Sequence, residues 1–301
     1  MTFNLYKYII RTSCKDEGKN LPHLIDSIAS QTIRPVLWVI TDDGSIDNTP
    51  TIINEAEEKY DWIKSIRLNS SKRDLGLHYA NVMKRGFDYA ISYCKEKGLE
   101  YNYLGNVDGD LTLEKTFFEN LMNEFVKNPR LGIASGGTNH IIGSHIVHAK
   151  VSVDEPSGGH MLIRRECFEE CRGIPRSYAI DSVLKAKARL KGWITQRFEE
   201  NIATEIRDVG SAEGYWKGAL NGGRGSYFLN LNPAHVLIKS MIYSFKKPYY
   251  RGIAYLYGYF SEFINRKEQI DDDEIKKYFW NKWKTKVYHF RSYAQLDKKG
   301  D

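Results

Sequence analysis

Two spacings of apolar residues alternate along the first two-thirds of the chain. Leu5 to Ser13 (with Tyr6, Tyr8, Ile9 and Ile10), Val36 to Ile40, Ile63 to Leu68, Tyr101 to Val107, Leu131 to Ser135, Met161 to Ile163 and Trp193 to Phe198 are short apolar or β-rich runs. They are too brief for helices and read as strands. Between them apolar residues return at the helical period. Leu21, Leu24, Ile25 and Ile28 mark a helix over 18–31 with Pro22 in its first turn, and Leu77 to Lys97 forms a long one closed by Gly98. Further helices are expected over 52–60, 114–127 (stopped by Asn128-Pro129), 164–171 and 181–190. Ser144 to Val153 alternates weakly, as an arm of an antiparallel hairpin would. Strand–helix alternation predicts a parallel sheet with helices on both faces, and right-handed crossovers leave few topologies for it.

Some of these elements begin or end in carboxylates, and open α/β sheets bind ligands beyond their strand ends. The Tyr101 run leads into Asp108-Gly109-Asp110, and the Val36 run into Thr41-Asp42-Asp43-Gly44-Ser45. Two hard oxygen ligands one residue apart suit Mg²⁺ or Mn²⁺, although Asp-Gly-Asp is also ordinary turn chemistry. Ionised Asp43 only accepts hydrogen bonds, which suits a base or ribose donor; its other reading is a cap for the next helix. Asp181 follows the flexible Ser157-Gly158-Gly159-His160 loop and opens a helix. It reads either as an N-cap or as a general base in reach of an acceptor hydroxyl. His140, His145 and His148 fall on a strand–loop–strand segment and read as exposed or acceptor-loop residues, not a metal set. Gly222-Gly223-Arg224-Gly225 lacks the Lys-Ser/Thr of a phosphate-binding P-loop.

Composition narrows the class. At 301 residues, 42% hydrophobic and 27% charged, the chain suits a soluble globular protein with one large core, or a core with an appendage. Residues 1–8 do not read as a signal peptide, and no apolar run is long enough to span a bilayer. Cys14, Cys94, Cys167 and Cys171 have no zinc spacing and read as reduced thiols of a cytoplasmic protein. The net charge of +6 belongs to residues 236–301, which carry 14 Lys and Arg against 8 Asp and Glu; the rest balances at 30 each. That segment is also aromatic, with Tyr243, Phe245, Tyr249, Tyr250, Tyr257, Trp280 and Trp283 among Lys246, Lys247, Arg251, Lys282, Lys284 and Lys286. The mixture suits an anionic membrane surface at the inner face of the cell membrane, or aromatics packed on the core beneath solvated lysines. A neutral core without a recognition module excludes nucleic acid as the partner.

Taken together, the motifs resemble a known family. Arg11-Thr-Ser-Cys-Lys-Asp-Glu-Gly-Lys-Asn-Leu21, Ser30-Gln31-Thr32 and Asp42-Asp43-Gly-Ser-Ile-Asp47-Asn-Thr49 resemble the opening of family 2 glycosyltransferases with the GT-A fold. Asp108-Gly-Asp110 is similar to that family's DXD metal motif. Gly158-Gly-His-Met-Leu-Ile-Arg-Arg165 and Ile180-Asp181 are similar to its acceptor loop and catalytic-base region. The likeness runs from about Tyr8 to Gly192. It implies an α/β, Rossmann-like mixed sheet flanked by helices over residues 1–232, with a nucleotide-binding half (about 1–112), an acceptor half (about 113–232) and a helical appendage over 233–301.

It further implies that Thr12, Ser13, Glu17, Asp43 and Asp108 line the nucleotide site. Asp108 and Asp110 would hold Mg²⁺ or Mn²⁺, Gly159 and His160 would meet the acceptor, and Asp181 would be the base of a single inverting displacement. The donor would be a UDP- or dTDP-sugar, and the acceptor a glycan or lipid-linked glycan in cell-envelope polysaccharide synthesis. Departures from the family pattern are Ser13 to Asp16 before Glu17, and Ile180 where a glutamate often precedes the base. Glu205 stands about where many members have a metal histidine, and reads as a third ligand or as a surface partner of Arg207. Arg207 or Arg224 would meet the diphosphate. Two other classes compete: a haloacid-dehalogenase-like phosphatase with Asp108 of Asp108-Gly-Asp110-Leu-Thr112 as nucleophile, and a non-catalytic nucleotide- or glycan-binding module.

Overall fold

The computed structural model describes residues 6–69, 76–142, 145–207, 214–245 and 247–282. Leu5, Ser144, Lys246 and residues 283–301, which enter the sequence reading, lie outside them. The described residues fall into two compact units, each taken by itself. The first holds those up to Arg176 and those from Ile180 to 207; the second holds Ser177–Ala179 and those from 214 onward.

The first unit is built on one sheet ordered β3-β2-β1-β4-β8-β6-β9-β5, with β7 paired to β6. Strands β1 (Tyr8–Cys14), β2 (Leu37–Asp42), β3 (Ile63–Arg67) and β4 (Tyr103–Val107) are parallel neighbours. Beyond β4 the sheet turns mixed. β8 (His160–Arg164) runs antiparallel to both β4 and β6 (Leu131–Ile142), β9 (Ile194–Glu205) parallel to β6, and β5 (Leu111–Leu113) antiparallel to β9. β7 (His145–His148) completes a hairpin with β6. The parallel sheet expected from element alternation therefore holds for the first four strands and for the β6–β9 pair, and antiparallel β8 and β5 interrupt it.

Strand side chains alternate between faces, so a sheet covered on both sides has two cores. Tyr8, Ile10, Trp38 and Ile40 pack with α1 (Leu21–Ala29), α4 (Phe117–Lys127) and Ile53 and Ala56 of α2 (Thr49–Lys59). Ile9, Val39, Leu104 and Ile163 face α3 (Leu77–Lys97), α5 (Arg165–Glu170) and α6 (Ile180–Leu190). The four cysteines are buried and free.

The second unit contains α7 (Gly214–Phe228), α8 (Pro233–Ser244), α9 (Arg251–Ile264) and helical residues 273–282. The Gly222-Gly223-Arg224-Gly225 run lies inside α7. A Cβ at Gly223 would meet the Tyr255 carbonyl, and one at Gly258 the Leu220 carbonyl, so the glycines let the two helix backbones touch. The sequence division at residue 232 cuts through this unit, because α7 packs on α9. On α8, Val236 and Ser240 face inward while Leu237, Ile238, Met241 and Ile242 face solvent, as does Phe245 at its C-cap, leaving an apolar face outward. Among the described residues no helix is long and apolar enough to cross a membrane.

Candidate active site

β1 lies between β2 and β4, so the chain leaves these three strands side by side. The β1 exit carries Ser13 to Glu17, the β2 exit Asp42 to Ser45, and the β4 exit Asp108 to Asp110. At the β2 exit the two acids divide their work. Asp42 is buried, accepts from the Ser45 amide (2.8 Å) and pairs with Arg67 (3.3 Å), which fixes the loop. Asp47 takes the Thr49 amide at the start of α2, so the capping alternative for Asp43 falls to its neighbours. The Asp43 amide donates to the Cys14 carbonyl, and both its carboxylate oxygens lie 2.9 Å from Nε2 of His78, in the first turn of α3. Sequence reading missed His78, because nothing in a helical register reveals that its first turn faces another strand's exit.

The β4 exit brings several polar side chains together. Oδ1 of Asp108 accepts from the Tyr79 hydroxyl (3.2 Å) and from the Asn106 amide (3.3 Å). Burial, and then the charge of Asp110, push the Asp108 carboxyl up to about 6, against the pull of Arg11, Asn106 and Tyr79. Arg11 is fully buried beneath it, over the rings of Tyr79 (5.8 Å) and Phe87 (5.6 Å), and donates through Nη1 to the Ser13 hydroxyl. Gly109 passes over the β1 exit, where a Cβ would stand 3.3 Å from Cγ of Glu17 and 3.4 Å from Sγ of Cys14.

Asp110 is held from the far edge of the sheet. β5 follows it directly and pairs with the end of β9, setting Leu111 opposite Glu205, and the Ile206 amide donates to the Asp110 carbonyl (2.9 Å). Arg207 then reaches Asp110 (3.1 Å) and also pairs with Glu17, tying the β1 and β4 exits together. Glu205 pairs with His140 at 2.7 Å, and its carboxyl is raised by burial and by Asp110. The surface pairing of Glu205 with Arg207 is thus replaced by a half-buried pairing with His140.

Two glycines join the halves of the site. The Gly159 carbonyl accepts from the Asp108 amide (2.8 Å), and the Gly158 carbonyl from the Asn106 side chain (2.5 Å). A Cβ on Gly159 would lie 2.8 Å from Oδ2 of Asp108, and one on Gly158 would lie 2.8 Å from Cβ of Asp181. Successive Cα atoms are about 3.8 Å apart, so Asp108 and Asp181 lie against neighbouring residues of one loop. Asp181 sits in the first turn of α6, 39% exposed, with Oδ2 3.2 Å from the Lys185 ammonium.

Three expected residues lie elsewhere. Thr12 is fully buried and its hydroxyl accepts from the Trp38 indole (3.0 Å), so its side chain belongs to the core and not to a nucleotide pocket. His160 is 1% exposed, bonded to the Thr138 hydroxyl (2.9 Å) and set edge-on to Phe117. Burial, with the nearby Arg197 charge, lowers its imidazole to about 3. It opens β8, between two neighbouring strands, and cannot reach an acceptor. Arg224 pairs with Glu262 inside the second unit (3.5 Å).

The donor set bears on a divalent cation. Among the described residues no group of three His, Cys, Asp or Glu is arranged around one point. Asp108 and Asp110 nonetheless crowd two carboxylates one residue apart, and their repulsion helps raise Asp108. That fits a cation held by two carboxylates and completed by a substrate's phosphates, not a cage made by protein alone.

Comparison with known proteins bears on the family and the fold. Residues 10–179, more than half of the chain, match the family model for glycosyl transferase family 2. Two poly-beta-1,6-N-acetyl-D-glucosamine synthases of Staphylococcus epidermidis are 26% and 25% identical over 125 residues, which are 41% of this chain and 26% of theirs. The match thus spans about a quarter of the length of these curated relatives. Among solved structures, the mannosyltransferase PcManGT from Pyrobaculum calidifontis, in complex with GDP-Man and Mn²⁺, is similar with a TM-score of 0.52 at 14% identity, covering 83% of this chain and 69% of that one. The likeness is one of fold, the GT-A fold. Asp108 follows the fourth strand of the sheet, not the first as the phosphatase nucleophile would. The chain belongs to glycosyl transferase family 2.

Proposed function

We propose that the chain transfers a sugar, with inversion, from a UDP- or dTDP-sugar to a glycan or lipid-linked glycan acceptor. The observation that carries this reading is the glycine pair that sets Asp181 and Asp108 against consecutive residues. Ser13, Glu17 and Asp43 would receive the nucleotide, with His78 orienting the Asp43 carboxylate. Asp108 and Asp110 would hold Mg²⁺ or Mn²⁺, which stabilises the charge of a departing diphosphate. Arg207, already on Asp110, is placed to accompany that group. Asp181 takes the proton of the acceptor hydroxyl as its oxygen bonds to the anomeric carbon and the bond from that carbon to the phosphate oxygen breaks. One base and one displacement account for inversion without a protein nucleophile. A glycan as product is in keeping with the name of the staphylococcal relatives, which are synthases of a poly-N-acetyl-D-glucosamine.

A thermal-shift panel of nucleotides and nucleotide-sugars with Mn²⁺ tests the donor, since ligands that bind only the folded state raise its melting point. UDP or dTDP and their sugars should raise it in a Mn²⁺-dependent way. No shift with any of them would overturn the donor assignment.

The second unit suggests where the acceptor's environment is met. Leu237, Ile238, Met241 and Ile242 are 47–62% exposed and Phe245 82%, on a segment of excess positive charge. An apolar face on a segment of excess positive charge suits an anionic bilayer surface. Vesicles containing phosphatidylserine should co-sediment the protein, and L237S/M241S should weaken this at least tenfold. Equal sedimentation of both proteins would remove the membrane assignment.

A further inference from the structure

Lys185 is an unusual residue to find inside this fold. It is 5% exposed, one helical turn after Asp181 on α6. A buried ammonium is costly unless its charge and all its donors are matched. Here its Nζ lies 3.2 Å from Oδ2 of Asp181, 3.0 Å from Oε2 of Glu155 and 3.0 Å from the Pro156 carbonyl. Three donors meet three acceptors. Glu155 is in turn held by Arg189 of the same helix, at 3.2 Å. No motif in the sequence marks this cluster.

The position of the acceptors gives the cluster its meaning. Glu155 and Pro156 lead into Ser157-Gly158-Gly159, whose own contacts are with Asp181 on one side and Asp108 on the other. Lys185 therefore grips the helix that carries Asp181 and the loop that separates Asp181 from Asp108. It also commits one carboxylate oxygen of Asp181, which decides how the other can be presented.

We infer that Lys185 is a positioning residue for the transfer step, holding Asp181 in line with the acceptor hydroxyl by tying it to the 155–159 loop. This rests on the reading of Asp181 as the base. Among the described residues the ion pairs and hydrogen bond of Lys185 are with Asp181, Glu155 and Pro156, not with the exits of β1, β2 or β4, so its role separates from donor binding.

The test uses K185M, which keeps the bulk of the side chain and removes its charge and donors. UDP titration by calorimetry counts the binding-competent sites and gives their Kd; transfer is then expressed as kcat per competent site. The expected result is a kcat per site reduced at least tenfold, with Kd for UDP and KM for the donor within about twofold of wild type. A lysine that only stabilised the fold would lower the melting temperature and the number of competent sites and leave kcat per site unchanged. That result would overturn the inference. Should K185M fail to fold, K185Q is read in the same way. D181N in the same assay separates the two claims. If D181N transfers at the wild-type rate, the base reading itself falls. If D181N loses transfer while the Lys185 variant keeps it, only the role of Lys185 falls.

Discussion

Substituting Gly158 with alanine probes the contact that joins the two halves of the site. The new Cβ would stand 2.8 Å from Cβ, 3.2 Å from Cγ and 3.5 Å from Oδ2 of Asp181. Carbon atoms in contact sit about 3.5–4.0 Å apart, so roughly 1 Å must be found. Rotating the Asp181 side chain does not relieve a clash with its Cβ, which moves only with the backbone of α6. Lys185 ties that helix to Glu155 and Pro156, just before the glycine. Gly158 is not in the left-handed region, so alanine brings no backbone strain and the effect is steric. Overpacking of this kind costs about 1–3 kcal/mol of stability, and a 1 Å error in a reacting group costs about 100-fold in rate. G158A should therefore bind UDP with unchanged affinity and transfer about 100-fold more slowly per binding site. G222A is the control, because its Cβ would meet the Tyr255 ring at an ordinary 3.6 Å. Transfer by G158A within twofold of wild type would refute the reasoning.

Two further outcomes test the residues that the structure moved out of the site. His160 is about 3 when folded against an ordinary 6.5, so the unfolded chain binds a proton in that window and the folded one does not. Stability is full above about 6.5 and falls as pH drops towards 3; by pH 5 this group removes about 2 kcal/mol. In denaturant titrations at pH 7, 6 and 5, H160Q should lose that part of the slope, and parallel slopes would refute the assignment. T12V should leave the Kd for UDP within twofold while costing about 1–3 kcal/mol, because the buried Trp38 N–H loses its acceptor; a large loss of UDP affinity would return Thr12 to the nucleotide site.

Much of the parallel half was legible from local pattern. β1, β2 and β4 announce themselves as short apolar runs, and their carboxylates follow because strand exits share one edge. The residues that were misplaced fail for a common reason, which is that burial depends on partners distant in sequence. Thr12 and Ser13 are adjacent in β1 and read alike as polar, but only Thr12 is fully buried, with its hydroxyl on the Trp38 indole. His160 follows two glycines and looks loop-like, yet it begins a strand inserted between β4 and β6. β5 is three residues long, too short to carry a period, and it is what brings Glu205 beside Asp110. In the sequence β9 ends at Phe198, because Glu199 and Glu200 break the apolar run where its pairing with β6 shifts register at Gly136 and Gly137. His78, Tyr79 and Lys185 were invisible, since each sits on a helix whose register shows only which face is buried. The outward apolar face of α8 is not legible in its sequence; only packing shows that Val236 and Ser240 are the residues turned inward.

The account stands most directly on Asp181. The decisive measurement is the transfer rate of D181N, with UDP affinity recorded on the same preparation. Loss of general-base catalysis predicts a rate lower by about 10²–10⁴ with UDP affinity within twofold of wild type. Equal transfer rates in D181N and wild type would contradict the account.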